Sequence, residues 1–211
     1  MKIAIISQPT DGIYPTARGS IGIWTREIST RIGESQDVVV FSKKQSVKDR
    51  NVQVGRIEYV KQWVHFDLFI TRILGLVRRI LRVLLRQDIN LFYRYYYYEW
   101  YYYLFYITLS ALGIRQRKPE WVVIHNFSQF VPIVKFFNPG IKIAIVMHCD
   151  WLIELNESVV SKRLQDIDII FGVSNYITQG VKDKLPQFKS RCHTLLNGCN
   201  SNAFKPVGNI E

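Results

Sequence analysis

Short apolar runs of strand length recur along this chain, and they constrain its fold more than any other feature. Runs that are apolar on both faces are typical of buried parallel strands, which need helical connections between them. The strand segments are Lys2 to Ser7, Asp37 to Ser42, Arg56 to Val60, Trp121 to His125, Lys142 to Met147, Asp168 to Val173 and Cys192 to Leu196. Their alternation with helices predicts a Rossmann-like, doubly wound α/β fold with a mostly parallel sheet and helices on both faces.

The connections between these strands carry helix signals. After a loop rich in Pro, Gly and Thr, from Gln8 to Gly19, Ser20 is the predicted N-cap of a helix. Near the other end, Ser174 is the predicted N-cap of a helix that runs to about Leu185 and ends before Pro186. The buried face of the first helix is predicted from residues at four-residue intervals, Trp24, Ile28 and Ile32.

Composition places the chain among globular proteins with one large domain. It has 211 residues, of which 48% are hydrophobic and 21% are charged. The net charge of +11 favours an anionic partner, such as a phosphorylated substrate, an anionic lipid surface or nucleic acid. Nucleic acid is the least favoured of these partners, because the sequence contains no recognisable RNA-binding motif.

Cysteine and histidine usage gives no sign of a disulfide framework or a metal centre. The three cysteines form no CxxC pair, and the strand-like sequence that follows Met1 leaves no room for a signal peptide. We therefore expect reduced thiols and a cytoplasmic protein. The histidines have no zinc-ligand spacing, so no metal is expected. These residues are Cys149, Cys192, Cys199, His65, His125, His148 and His193.

Three segments stand in a fixed order around the predicted strands. The first is the loop Gly19-Ser20-Ile21-Gly22, and the second is Val146 to Trp151, at the end of a central strand. The third begins at Gly172-Val173-Ser174 and continues through Leu195-Leu196-Asn197-Gly198 to Phe204-Lys205-Pro206. Together they resemble the N-terminal domain of a family 4, GT-B type glycosyltransferase. The resemblance implies that residues 1–198 form one half of a GT-B fold, the acceptor-side domain, and that residues 199–211 begin the linker to a second domain.

The sequence also departs from this family. Ser20 replaces the second loop glycine of the family, and Cys199-Asn200 follows Asn197-Gly198 where the family often has an acidic residue. The family's C-terminal domain carries the acidic motif that holds the nucleotide-sugar, and this chain ends at Glu211. The expectation is therefore an incomplete retaining transferase, which needs the donor domain in cis or in trans. The alternative is a non-catalytic module of the same fold that binds a membrane or a partner chain.

The glycine loop is the first candidate site. Glycines let a backbone approach a phosphate closely, and the helix dipole favours negative charge at the amino end of a helix. The resemblance implies that Gly19, Ser20 and Gly22 face the diphosphate of a nucleotide-sugar. A plain turning loop is the alternative interpretation.

His148 is the second candidate site, because it follows an apolar strand and should emerge at the carboxyl edge of the sheet. A neutral imidazole there can donate a hydrogen bond to a sugar hydroxyl or accept one from it. The resemblance implies that His148 contacts the transferred sugar, with Asp150 orienting the ring or touching the acceptor. A packed histidine that closes a strand is the alternative, and it is the interpretation we favour for His125.

The remaining candidates line or border the expected cleft. Ser174 is interpreted first as a helix cap, and Asn197-Gly198 as a turn whose polar backbone opens the linker and lines the cleft. No nucleophile and base stand at a usable spacing. The resemblance therefore implies catalysis by positioning and electrostatics, with no metal or other cofactor. The implied donor is a nucleotide-sugar, and the implied acceptor is an envelope or polysaccharide glycan, with a lipid-linked acceptor as one option.

Residues 66–112 form a basic and aromatic segment that we interpret as a helical insertion. On a helix, Arg72, Arg79, Arg82 and Arg86 fall within about 80° of each other, with Arg78 about 40° outside that arc and leucines and isoleucines opposite. This pattern, with the tyrosine cluster and Trp100, is typical of a helix on an anionic membrane surface, here the inner face of the cell membrane. Within residues 66–86, no 18-residue window is free of arginine, which argues against a spanning helix there. The alternative is that both helices cover one face of the sheet.

Overall fold

The fold is built on one eight-stranded sheet. The computed structural model describes residues 1–85 and 99–198. The strand order is β3-β4-β2-β1-β5-β6-β7-β8, and the pairs are parallel except for the antiparallel pair of β3 and β4. The strands are β1 Lys2–Ile6, β2 Asp37–Lys43, β3 Val52–Val54, β4 Ile57–Gln62, β5 Trp121–His125, β6 Lys142–Met147, β7 Ile169–Gly172 and β8 Cys192–Thr194. The predicted doubly wound, mostly parallel α/β sheet is confirmed.

Helices connect the parallel strands. The described helices are α1 Ser20–Gly33, α2 His65–Leu85, α3 Leu104–Arg117, α4 Phe130–Phe137, α5 Trp151–Glu154, α6 Glu157–Arg163, α7 Asn175–Lys184 and a 3₁₀ helix Pro186–Arg191. The hydroxyl of Ser174 accepts a hydrogen bond from the Ile177 amide at 3.2 Å, so the predicted cap of α7 is confirmed. The predicted cap of α1 is wrong, because the N-cap is Gly19 and Ser20 is the first helical residue.

Alternate side chains of the central strands enter two separate cores. Ala4 and Ile6 join the larger core, which includes side chains of α3 and α4, whereas Ile5 joins the smaller core beside Ile32 of α1. Because successive strand residues point to opposite faces, a strand that is apolar throughout must be covered on both sides. Helices therefore lie on both faces of the sheet.

Helix α1 approaches the sheet through small residues. The buried residues of this helix are Gly22, Thr25 and Ser29, whereas the three apolar residues of the predicted face are only half-buried. A Cβ atom added at Gly33 would lie 2.6 Å from Cγ1 of Ile57, which shows how closely the last turn approaches β4. The innermost residues differ from the predicted apolar face because close contact of a helix and a sheet selects small side chains there.

The tyrosines before and within α3 belong largely to the core. Tyr102, Tyr103 and Tyr106 are at most 8% exposed, so assigning them to a membrane boundary was wrong. The Tyr106 hydroxyl lies 3.0 Å from the carbonyl oxygens of both Ser7 and Phe41. Burial raises the pKa of this hydroxyl, which keeps it protonated as a donor. It joins α3 to the carboxyl ends of β1 and β2.

Asp67 attaches α2 to the rest of the domain. Its carboxylate accepts hydrogen bonds from the amides of Phe105 at 2.8 Å and Tyr106 at 3.0 Å, and so caps the first turn of α3. Asp67 is the one buried residue among the α2 residues whose side chains are described. Among the described side chains of α2, Leu68 packs against the larger core and the later ones are exposed or half-buried, whereas α3 places several residues in that core.

The predicted membrane-facing residues lie along and after α2. Arg72, Arg79 and Trp100 are exposed. Arg78 and Arg82 are described only by their place in α2, and Arg86 lies outside the described residues. Within residues 1–85 and 99–198, no helix combines the length and the apolar character needed to cross a membrane.

Candidate active site

The centre of the sheet is a topological switch point. Strands β1 and β5 are neighbours there, and the chain builds outward from β1 to β2 and β4 on one side and from β5 to β8 on the other. In open parallel sheets, ligands bind beyond the carboxyl ends of the strands at such a point. Loops after β1, β5, β6 and β7 meet at this edge.

A cleft of about 360 Å³ lies at this edge. This volume is within the range of small-molecule sites, roughly 300–1,000 Å³. Three of the residues predicted for the site, Ser20, His148 and Asn197, line it. The full lining consists of Gln8, Ser20, Ile21, Trp24, Asn126, His148, Cys149, Trp151, Val173 and Asn197.

Two histidines meet at the base of the cleft. His125 ends β5 and His148 follows β6, and Nδ1 of His125 lies 3.0 Å from Nε2 of His148. The Trp24 ring packs edge-on against both imidazoles, with centroid distances of 5.2 Å to each. His125 is buried, as predicted, yet it is also the hydrogen-bond partner of the candidate site residue.

Asn126 fixes the backbone beside this pair. Its φ of 58° is left-handed, a conformation that asparagine adopts more readily than most residues. Its side-chain Oδ1 accepts a hydrogen bond from the backbone amide of His148 at 2.7 Å, and its backbone amide donates to the Val146 carbonyl at 3.0 Å. The ends of β5 and β6 are thereby held in a fixed relation.

The side chains that line the cleft are uncharged at neutral pH. Burial lowers the pKa of His148 to about 4, and burial together with the nearby His148 lowers the pKa of His125 to about 3. Burial raises the pKa of the Cys149 thiol to about 12, so this thiol is protonated and is a poor nucleophile. The arrangement suits a polar, uncharged ligand group better than an anion.

The glycine loop packs against Asp11 rather than opening fully to the cleft. A Cβ atom added at Gly19 would lie 3.3 Å from Oδ1 of Asp11, and one added at Gly22 would lie 3.3 Å from the Gly12 carbonyl oxygen. Burial raises the pKa of Asp11, although the Gly22 amide favours the ionised carboxylate. The carboxyl group of Asp11 therefore lies at the amino end of α1. The loop residues that line the cleft are Ser20 and Ile21.

The other predicted residues border the cleft without lining it in the described part of the chain. Asp150 precedes α5, and its backbone carbonyl accepts from the amide of Ile153 at 2.8 Å. The hydrogen-bond partner of the His148 ring is His125, so the orienting role predicted for Asp150 belongs to His125. Ser174 is committed to its helix cap, and Gly198 is exposed.

Sequence reasoning missed several members of the site. Trp24, Asn126 and Trp151 line the cleft, and His125 supports it from below. The available signal was that His125 and His148 end consecutive strands, which usually are neighbours in a sheet.

Among residues 1–85 and 99–198, no group of three or more His, Cys, Asp or Glu side chains is arranged to hold a metal ion.

Comparison with solved structures agrees with this architecture. The chain is similar to the apo structure of OtsA, with 14% identity and a TM-score of 0.54, over 89% of this chain and 43% of OtsA. It is also similar to an α,α-trehalose-phosphate synthase (UDP-forming) from Burkholderia vietnamiensis, with 14% identity and a TM-score of 0.53, over 90% of this chain and 43% of that protein. The likeness shows the fold.

That fold is the Rossmann-like α/β fold of one half of a GT-B type structure. The chain spans less than half the length of the two proteins, since the matched share of each is 43%. No protein-family model and no curated protein matches the chain. Assignment to glycosyltransferase family 4 stays a prediction.

Proposed function

We propose that this chain is the acceptor-side part of a retaining glycosyltransferase that uses a nucleotide-sugar. The observation that carries the proposal is the position of His148, in an uncharged cleft at the switch point of a GT-B type sheet. An imidazole and three amide side chains supply hydrogen bonds for hydroxyl groups, and Trp24 and Trp151 supply apolar ring surface. These are the groups that a sugar ring requires.

The roles follow from the lining of the cleft. His148 and Asn197 would bind sugar hydroxyls, while the first amides of α1, at Ser20 and Ile21, would face the diphosphate. Asp150, on the loop after His148, would lie towards the acceptor. Because the cleft lacks a basic side chain in its described lining, most of the phosphate charge would be neutralised by a donor domain in cis or in trans. No cofactor is required for this role.

A membrane-bound position is the second part of the proposal. Helix α2 exposes arginines and also large apolar side chains. The apolar ones include Phe69, which is 58% exposed, and Leu76, which is 55% exposed. A surface of this kind is suited to binding the anionic inner leaflet of a membrane, because contact with the leaflet lowers the free energy of both basic and apolar groups. The position would bring a lipid-linked envelope or polysaccharide acceptor to the cleft. The same surface supports the alternative of a non-catalytic membrane-binding module.

Isothermal titration calorimetry with a panel of UDP- and GDP-sugars tests the first part. We expect weak binding of at least one nucleotide-sugar and its loss in His148→Ala, with the circular dichroism spectrum unchanged. His193→Ala is the matched control, since His193 is exposed on β8 and does not line the cleft. Absence of binding across the panel, or equal binding by His148→Ala, would contradict the proposal.

A further inference from the structure

Three side chains form a hydrogen-bonded chain beneath the cleft. Oγ1 of Thr25 lies 3.4 Å from Nε2 of His125, and Nδ1 of His125 lies 3.0 Å from Nε2 of His148. Thr25 and His125 are both at most 1% exposed, whereas His148 is half-buried and lines the cleft. This series of hydrogen-bonded side chains therefore runs from the inner face of α1 to the ligand side of the sheet.

The Thr25 hydroxyl sets the direction of this chain. Its Oγ1 donates to the carbonyl oxygen of Ile21 at 2.7 Å, whereas the distance from Oγ1 to Nε2 of His125 is 3.4 Å. A hydroxyl has a single hydrogen to donate, and the shorter contact is much the stronger. Thr25 therefore presents only lone pairs to His125, so that Nε2 of His125 must carry a hydrogen. The opposite tautomer would bury a bare nitrogen against an oxygen lone pair.

The assignment then passes to His148. If Nε2 of His125 is protonated and the ring is neutral, Nδ1 of His125 is an acceptor. Nε2 of His148 must donate to it across the 3.0 Å contact. The remaining ring nitrogen of His148, Nδ1, is left unprotonated in a side chain that lines the cleft.

We propose that Thr25 and His125 are positioning residues that hold His148 as its Nε2–H tautomer and present Nδ1 to the ligand as a hydrogen-bond acceptor. Trp24 supports this by packing edge-on against both rings, at interplanar angles of 79° and 82°. The ligand group selected at this atom is a donor, such as a hydroxyl, rather than a carbonyl or a phosphate oxygen. The assignment of a sugar hydroxyl to this atom rests on the proposed function.

Nitrogen-15 NMR of the imidazole rings in the full chain tests the inference, because long-range couplings identify which ring nitrogen carries the hydrogen. We expect His125 and His148 both as Nε2–H tautomers at neutral pH. Thr25→Val removes the lone pairs, and we expect it to convert both histidines to mixed tautomers. Thr25→Ser keeps the hydroxyl and should restore the single tautomer. The exposed His65 and His193 serve as internal references in every spectrum.

Two outcomes would overturn the inference. One is an Nδ1–H tautomer for His148 in the unmodified chain, and the other is a Thr25→Val spectrum identical to that of the unmodified chain. A merely structural role for Thr25 would change stability without moving the tautomer signals. Failure of the proposed function is a separate result, namely no binding of a nucleotide-sugar while the tautomers are as assigned.

Discussion

Nδ1 of His125 lies 3.0 Å from Nε2 of His148, so the carboxyl ends of two neighbouring strands are joined through a pair of imidazoles. Both rings are packed against Trp24 and removed in large part from solvent. Burial disfavours the charged form of each ring, which lowers the pKa of His148 to about 4 and that of His125 to about 3. The pair is therefore neutral at neutral pH.

The neutral pair predicts that stability falls as the pH is lowered. In the unfolded chain a histidine has a pKa of about 6.5, so below that pH the unfolded state binds protons that the folded state does not. Each histidine then lowers the free energy of unfolding by about 1.4 kcal/mol per pH unit, from about pH 6.5 down to its own folded pKa.

Urea unfolding at pH 6.5, 5.5 and 4.5 (values chosen for the experiment, about one unit apart) measures this dependence. We expect His148→Gln to have a shallower dependence than the unmodified chain, because one titrating group is gone. Parallel curves for the two proteins would show that His148 is not held neutral by the fold.

Gly19 carries the second prediction. Its φ of 76° and ψ of 157° lie in a region that is essentially restricted to glycine, and an added Cβ atom would also approach Asp11. We expect Gly19→Ala to lower the free energy of unfolding by about 1–3 kcal/mol. Gly75→Ala is the control, since Gly75 is within α2 and an added Cβ atom meets nothing within 4 Å. That control should stabilise the helix by up to about 1 kcal/mol. An equal effect of both substitutions would contradict the assignment of a glycine-restricted backbone conformation to Gly19.

Trp24 carries the third prediction, because it braces both imidazoles. We expect Trp24→Ala to destabilise the domain by about 1–3 kcal/mol and to raise the pKa of His148 towards its ordinary value. Trp100→Ala is the matched control, since Trp100 is 64% exposed and its loss should change stability by less than about 0.5 kcal/mol. NMR titration of His148 with an unchanged pKa in Trp24→Ala would refute the bracing role.

The exposed arginines of α2 carry the fourth prediction. Each basic residue near an anionic membrane contributes about 1 kcal/mol, so Arg72→Gln with Arg79→Gln should weaken binding to anionic vesicles about 30-fold. Lys48→Gln with Arg50→Gln lowers the net charge equally at another exposed site and should have little effect. Co-sedimentation with anionic and neutral vesicles measures both. Equal binding to the two kinds of vesicle would exclude the electrostatic part of the proposal.

The parallel strands could be predicted from the sequence because each is a continuous apolar run that must be buried on both faces. Strand β3 was missed, since Val52–Val54 is three residues long, lies at an edge of the sheet and is largely exposed. The tyrosines before α3 were misassigned for a different reason. An aromatic ring with a hydroxyl suits a membrane boundary and a core with carbonyl partners equally well, and only the fold distinguishes them.

The candidate site could be predicted in part. The positions of His148 after a strand and of Ser20 at a helix start could be predicted from the apolar pattern, while their roles stay predictions. The partnership of His148 with His125 and Thr25 was not predicted, since it depends on which strands are neighbours and on how closely α1 approaches the sheet. Asp11 was missed because a loop side chain gives no sequence signal that it will fold back onto a helix.

The central claim is that the cleft around His148 binds the sugar part of a nucleotide-sugar. Its most direct test is a two-dimensional ¹H–¹⁵N NMR titration of the labelled chain with a panel of UDP- and GDP-sugars at millimolar concentration. We predict that one of them shifts the amide signals of Ser20, Ile21, His148 and Cys149, while those of Arg115 and Lys118, which line a different surface depression, stay in place. Shifts confined to Arg115 and Lys118, or no shifts with any member of the panel, would contradict the claim.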